Sequence, residues 1–171
     1  MKFLSEKDHL TTLYNRRFIQ DAFPKLIASV DRKQAKLVLY FIDVDDFKLI
    51  NDSCGHKIGD QVLQRIANIL LLYGQKKDVA ARWAGDEFLL LSTPSSAYTE
   101  EMLIAHMQRE LAIASQEFQI DLSVSIGTAM YPDEAQTLED LLHVADQDMY
   151  ALKMGRKCQP VSAMGTTHSV S

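Results

Sequence analysis

The stretch DVAARWAGDEFLLLS, Asp78 to Ser92, decides how this chain folds. Two apolar runs flank Gly85-Asp86, and Gly-Asp is a favoured two-residue turn of type I′ or II′, so the segment reads as a β-hairpin. Its second arm is apolar at four successive positions, Phe88 to Leu91, as suits a buried strand. Two acids, Asp86 and Glu87, stand at the mouth of that strand.

Outward from the hairpin, strand and helix signals alternate. KLVLYFID carries six consecutive apolar residues, Leu37 to Ile42, and reads as a central strand covered on both faces. NRRFIQDAFPKLIASVDRK reads as a helix that Pro24 starts or kinks. IGDQVLQRIANILLLYG places Ile58, Val62, Ile66, Ile69, Leu70 and Tyr73 on one helical face, and Gly74 ends it. SAYTEEMLIAHMQRELAIASQE is a further helix. FQIDLSVSIGTAMYP begins with alternation at Ile120, Leu122, Val124 and Ile126 and reads as a strand. TLEDLLHVADQDMYALKMGRK is a closing helix with Thr137 as N-cap and Asp140 three residues on. The order α-β-α-β-β-α-β-α predicts an α/β (α+β) sandwich, one sheet with helices packed on it. The antiparallel hairpin makes that sheet mixed.

The chain has 171 residues, 47% of them hydrophobic, enough for one domain with a substantial core. No apolar run approaches the roughly 18–20 residues that span a bilayer, and MKFLSEKDHL has no apolar signal core. Cys54 and Cys158 are too few and too unpatterned for a disulfide framework or a zinc site, which fits a reducing cytosol. A net charge of −5 argues against a nucleic-acid partner, which needs a basic face. Residues 158–171, rich in Ser and Thr, are expected to form a disordered tail behind a single domain over 1–157.

The chemistry concentrates at the end of the central strand, FIDVDDFKLIND. Asp43, Asp45, Asp46 and Asp52 lie within ten residues, with Asp43 and Asp45 on one side and Val44 opposite. If the hairpin pairs beside this strand, Asp43 meets Asp86 and Glu87. Carboxylates at that density repel unless something neutralises them. Mg²⁺ does so with oxygen ligands, one or two carboxylates plus substrate phosphates, and such ions serve phosphoryl transfer. Taken singly these residues have blander readings. Acids are common in turns, Asp60 suits a helix N-terminus, and Lys153 and Arg156 suit a helix C-terminus.

The motifs together resemble the GGDEF-domain diguanylate cyclases. LTTLYNRRF is similar to that family's entry motif, with Thr12 where a glycine is usual. FIDVDDFKLINDSCGHKIGDQVL is similar to its metal- and guanine-binding segment. RWAGDEF is similar to its signature hairpin, with Ala84 replacing the first glycine, and VSIGTAMYP and ADQDMYALKMGRK are similar to its closing motifs. The likeness runs from Asp8 to Lys157.

The resemblance implies a palm-like sheet of the nucleotidyl-cyclase kind. It implies condensation of two GTP into cyclic di-GMP and two pyrophosphates, one GTP per subunit across a homodimer. By the same resemblance, Asp43, Asp86 and the Val44 carbonyl hold Mg²⁺ (or Mn²⁺). Asp86 or Glu87 takes the proton of the attacking 3′-hydroxyl, and Asn51 and Asp60 read guanine. Lys48, Lys153 and Arg156 hold the triphosphate, with Gly85 in the turn beside it. Asp can accept from the guanine N1–H and N2–H₂, donors that adenine lacks. Ala84 flanks the turn, where an ordinary β conformation accommodates it. The family's Arg-x-x-Asp inhibitory motif is degenerate here: Gln75 replaces the arginine and Asp78 is kept. Gln lacks the charged fork of Arg, so product inhibition at this site is expected to be weak or absent. A sensory or dimerising region ahead of the domain is expected in a longer protein, with this domain in the cytoplasm and itself making no membrane contact. The alternative reading is a degenerate GGDEF domain serving as a GTP sensor or interaction module. A cyclase for another nucleotide is a weaker option, against which Asn51 and Asp60 stand.

Overall fold

The computed structural model describes residues 5–73, 78–95 and 99–157, the side chains of 156 and 157 excepted. The hairpin is present. Strand β3 (Val79–Ala84) runs antiparallel to β4 (Glu87–Ser92), joined by Gly85 and Asp86. The turn is not of the primed kind, because neither Gly85 nor Asp86 takes a positive φ. The register slips between Arg82 and Ala84, so Trp83 is the extra residue of a β-bulge. A bulge raises the local right-handed twist, the service a primed turn otherwise performs. The Arg82 Nε then closes the turn by donating to the Gly85 carbonyl at 2.9 Å.

The central strand β2 (Leu37–Val44) pairs antiparallel with β4 on one side and with β5 (Val124–Tyr131) on the other. A two-residue strand, β1 (Tyr14–Asn15), lies parallel to β3. The five-stranded sheet therefore has the order β1-β3-β4-β2-β5 and is mixed, as expected. Its open edge at β5 is partly capped by side chains. The amide of Thr128 donates to Asp148 and that of Met130 to Glu134, at 2.9 and 2.7 Å, which blunts an edge that could otherwise recruit another strand.

Strand alternation divides the core. Val38, Tyr40, Ile42 and Val44 of β2, with Phe88 and Leu90 of β4, pack against three helices: α2 (Phe47–Cys54), α3 (His56–Tyr73) and α4 (Glu100–Phe118). Leu37, Leu39, Phe41, Leu89 and Leu91 face α1 (Arg16–Arg32) and α5 (Leu138–Lys157). The unbroken apolar run of β4 is thus explained, because both faces of the strand are buried. Phe88 is fully buried, and its truncation to Ala would cost about 3–5 kcal/mol.

Three details differ from the sequence expectation. Helix α1 starts at Arg16, capped by the Asn15 side chain, and continues through Pro24. Helix α2 was not visible in the pattern. It has eight residues, several of them poor helix formers (Asn51, Asp52, Ser53), and Asp46 at its start makes no side-chain cap. Strand β5 begins at Val124 rather than near Ile120. Gln119 ends α4 in the left-handed region, and Ser115 Oγ accepts the Leu122 amide at 2.9 Å. Ile120 and Leu122 pack into the same cluster as Val124, so a buried connector mimics strand alternation. Thr137 does cap α5, its hydroxyl accepting the Asp140 amide at 3.1 Å.

Candidate active site

The register of β2 and β4 places Asp43 directly opposite Glu87. One residue on, the Val44 amide donates to the Asp86 carbonyl at 3.1 Å, pinning the hairpin tip to the end of the central strand. Asp43, Asp86 and Glu87 are all partly buried. Burial first, then the neighbouring Asp43 charge, raises the pKa of Asp86 above the ordinary carboxylate value. Glu87 is raised in the same order of causes, with Asp86 and Asp146 adding to it and Arg16 opposing. The cluster is therefore short of positive charge.

Lys153 answers it by direct contact. From α5, it donates through Nζ to Asp43 Oδ2 at 2.6 Å. Burial alone would lower the Lys153 pKa, but the bond to Asp43 and the charges of Asp43, Asp45 and Asp86 outweigh it and hold it above the usual lysine value. Asp45 is a supporting group. Its two carboxylate oxygens accept the hydroxyls of Ser125 and Ser123, each at 2.6 Å, which ties the β2–α2 turn to β5.

A cavity of about 500 Å³ opens from these acids along the α5 side of the sheet, walled by Trp83, Glu87, Asp146, Tyr150 and Lys153. Arg16 lies over the Trp83 ring at 4.4 Å. At the turn, a Cβ added to Gly85 would meet nothing within 4 Å, so the hairpin tip is open to a ligand.

The expected guanine readers lie on the other side of the sheet. Asn51 is on α2, and Asp60 is exposed on α3, just past its first turn. Gly55, at φ +88°, makes the corner between the two helices. Asn51 Oδ1 is buried and lacks a hydrogen-bond partner, an arrangement that costs free energy unless a donor arrives. The guanine N–H edge is such a donor. Next to Asp60 is Gly59, which is buried and whose Cβ, if present, would collide with Asn51 Oδ1. Gly inside a helix is about 1 kcal/mol worse than Ala, so its place here is explained by room for the Asn51 amide. Sequence reasoning missed Gly59; the signal was a glycine one residue before Asp60 within a helical pattern.

Other expected residues are placed less fully. Lys48 is exposed on α2, one turn before Asn51. The backbone of Arg156 continues α5, and its side chain lies outside the described residues. So does Gln75; Asp78 directly precedes β3. Ala84 is in β3, paired with Glu87, with no positive φ. Asp43 and Asp86 bring two carboxylates together at one strand end, a donor set of the kind Mg²⁺ takes when phosphates and waters complete its shell. Among the described residues no three His, Cys, Asp or Glu side chains converge as a closed cage. No described helix is long and apolar enough to cross a membrane.

The far side of the turn is held by a buttress that sequence reasoning did not foresee. Asp8 accepts the amide and hydroxyl of Thr11 at 2.8 and 2.7 Å, and Arg82 Nη1 lies 3.3 Å from both its oxygens. Burial opposes ionisation of Asp8, but Thr11 and Arg82 together lower its pKa.

Comparison with known proteins agrees with this geometry. The family model "Diguanylate cyclase, GGDEF domain" matches residues 5–159. The chain is 36% identical over 151 residues to the diguanylate cyclase TpbB of Pseudomonas aeruginosa, covering 85% of this chain and 34% of that protein. It is 35% identical over 150 residues to the diguanylate cyclase DosC of Escherichia coli, covering 85% and 32%. The solved GGDEF domain of TpbB superposes with a TM-score of 0.76 at 32% identity, covering 87% of this chain and 89% of that one. The chain thus spans about a third of the length of these curated relatives. On fold, motifs and matched length, the chain belongs to the GGDEF-domain family of diguanylate cyclases.

Proposed function

We propose that this chain is the catalytic domain of a diguanylate cyclase. The observation that carries the reading is the pairing of Asp43 against Glu87, with the Asp86 carbonyl bonded to Val44, which gathers three acids at one open strand end. Each subunit holds one GTP. Asn51 Oδ1 and Asp60 accept from the guanine edge, and Lys48, Lys153 and Arg156 neutralise the triphosphate. Asp43, Asp86 and the Val44 carbonyl hold Mg²⁺, which when bound polarises the α-phosphate and offsets the negative charge of the site. The 3′-oxygen of one GTP forms a bond to the α-phosphorus of the other, and the bond to pyrophosphate breaks. The hydroxyl proton passes to Asp86 or Glu87, whose affinity for a proton burial and the Asp43 charge raise above that of an ordinary carboxylate. The reciprocal attack closes the ring, giving cyclic di-GMP and two pyrophosphates.

One site supplies one nucleotide, so two domains must face each other, and holding both GTP molecules in line is worth several kcal/mol. A region ahead of the domain in a longer protein supplies or controls that pairing. Ala84, the feature that favours a degenerate domain, sits in ordinary β backbone with its methyl exposed. The test is mass analysis of the product from GTP and Mg²⁺, beside an Asp86→Ala, Glu87→Ala control. Cyclic di-GMP from the unaltered domain alone supports the reading. GTP binding without product, even with two domains joined by a fused dimeriser, supports a sensor instead.

A further inference from the structure

Lys153 is bonded to the acid on which the proposed metal site depends. Its Nζ stands 2.6 Å from Asp43 Oδ2. The two side chains are only 34% and 21% exposed, so water screens the pair less than it would at the surface. Asp45 and Asp86 attract the same ammonium. Asp45 is fixed by Ser123 and Ser125, so this anionic seat does not move with its own rotamers. An ammonium and a divalent cation compete for Asp43, because like charges a few ångströms apart repel and each weakens the other's hold on the shared carboxylate. The lysine stem is long and flexible, so its head can travel several ångströms without movement of α5.

We propose that Lys153 is a positioning residue that latches Asp43 in the free protein and releases it only when a nucleotide's phosphates offer the ammonium another partner. This rests on the reading of Asp43 as a metal ligand. Metal loading then depends on the triphosphate, and by linkage the metal tightens the nucleotide by the same factor. The latch keeps stray divalent ions out of a cluster that otherwise invites them. It also favours ligands with distal phosphates over a monophosphate, which leaves the lysine where it is.

The test is Mn²⁺ binding to the folded domain, read from the free-ion paramagnetic resonance signal. Without nucleotide, Lys153→Gln is expected to bind Mn²⁺ at least about tenfold tighter than the unaltered protein, the equivalent of freeing one paired charge. Lys57→Gln removes the same charge from an exposed position on α3 and is expected to change affinity by less than about twofold, since exposed charges are screened. Lys153→Arg keeps a cation and is expected to stay close to the unaltered protein. With α,β-methylene GTP present, the unaltered protein is expected to gain more Mn²⁺ affinity than Lys153→Gln gains. Unchanged Mn²⁺ affinity in Lys153→Gln overturns the latch, as does an equal gain in Lys57→Gln. If no form binds Mn²⁺ with or without nucleotide, the metal assignment falls and the latch with it. Cyclic di-GMP formation by the unaltered protein, measured separately, distinguishes failure of the latch from failure of the catalytic reading.

Discussion

Thr12 offers a test of the backbone around the site. It stands in the entry motif where a glycine is usual, and its φ is +64°. That is the left-handed region, which costs a non-glycine residue roughly 1–2 kcal/mol and suits β-branched side chains least. The strain is held by the turn itself. The Thr12 amide donates to the Asp8 carbonyl at 2.9 Å, Thr11 is clamped on the Asp8 carboxylate, and Leu13 next door is buried. The Thr12 side chain is exposed, so removing it gives up little packing. Thr12→Gly relieves the strain but returns about 0.5–1 kcal/mol through the freer unfolded chain. The net gain is about 0.5–1 kcal/mol, or roughly 1–4 °C in Tm for a chain of this length. Thr12→Ala keeps a Cβ and should recover less than the glycine variant. Calorimetry of the three proteins at one concentration and pH decides it. A Tm that falls in Thr12→Gly, or rises more in Thr12→Ala, refutes the reasoning.

Ala84→Gly should behave oppositely, since Ala84 already sits in ordinary β backbone; its Tm should be unchanged or lower, with little change in GTP turnover. Gly59→Ala should displace the Asn51 amide and weaken GTP binding by roughly tenfold or more, the scale of one lost hydrogen bond with its partner left buried. Circular dichroism should stay native, and a GTP titration with wild-type affinity would show that Asn51 does not read the base. Asp86→Asn should abolish turnover yet raise Tm at pH 7. The Asp86 carboxyl has a pKa above 3.8 in the fold, so the stability linked to its proton is present below that value and is lost as pH rises through the folded pKa. The Tm gain of Asp86→Asn should therefore shrink as pH falls toward about 4, and a gain that grows on acidification would contradict the burial of Asp86.

Much of the fold was legible because the strongest patterns belong to elements buried on both faces. The runs Leu37–Ile42 and Phe88–Leu91 suit strands covered on both faces, and Gly85-Asp86 marked the turn that leads into the second of them. What escaped was set by tertiary contacts. Helix α2 is short and lacks a side-chain cap, so it forms by docking Ile50 into the core rather than by propensity. The turn type was misread because the bulge at Trp83 supplies the twist that the dipeptide alone would have to supply. At the site, the meeting of Asp43 with Glu87 was inferable from alternation and pairing. The Lys153 bond to Asp43, the Gly59 seat under Asn51 and the Asp8–Arg82 buttress join residues far apart in sequence, and no local pattern announces them.

The central claim is that acids gathered by the β2–β4 register make cyclic di-GMP between two facing domains. It is tested most directly by the initial rate of cyclic di-GMP formation per protomer as the domain's concentration is raised with saturating GTP and Mg²⁺. The account predicts a rate per protomer that climbs with concentration until pairing saturates, and no product at any concentration from Asp43→Asn. A rate per protomer independent of concentration in a protein that stays monomeric, or saturable GTP binding with no cyclic di-GMP at any concentration, would contradict it.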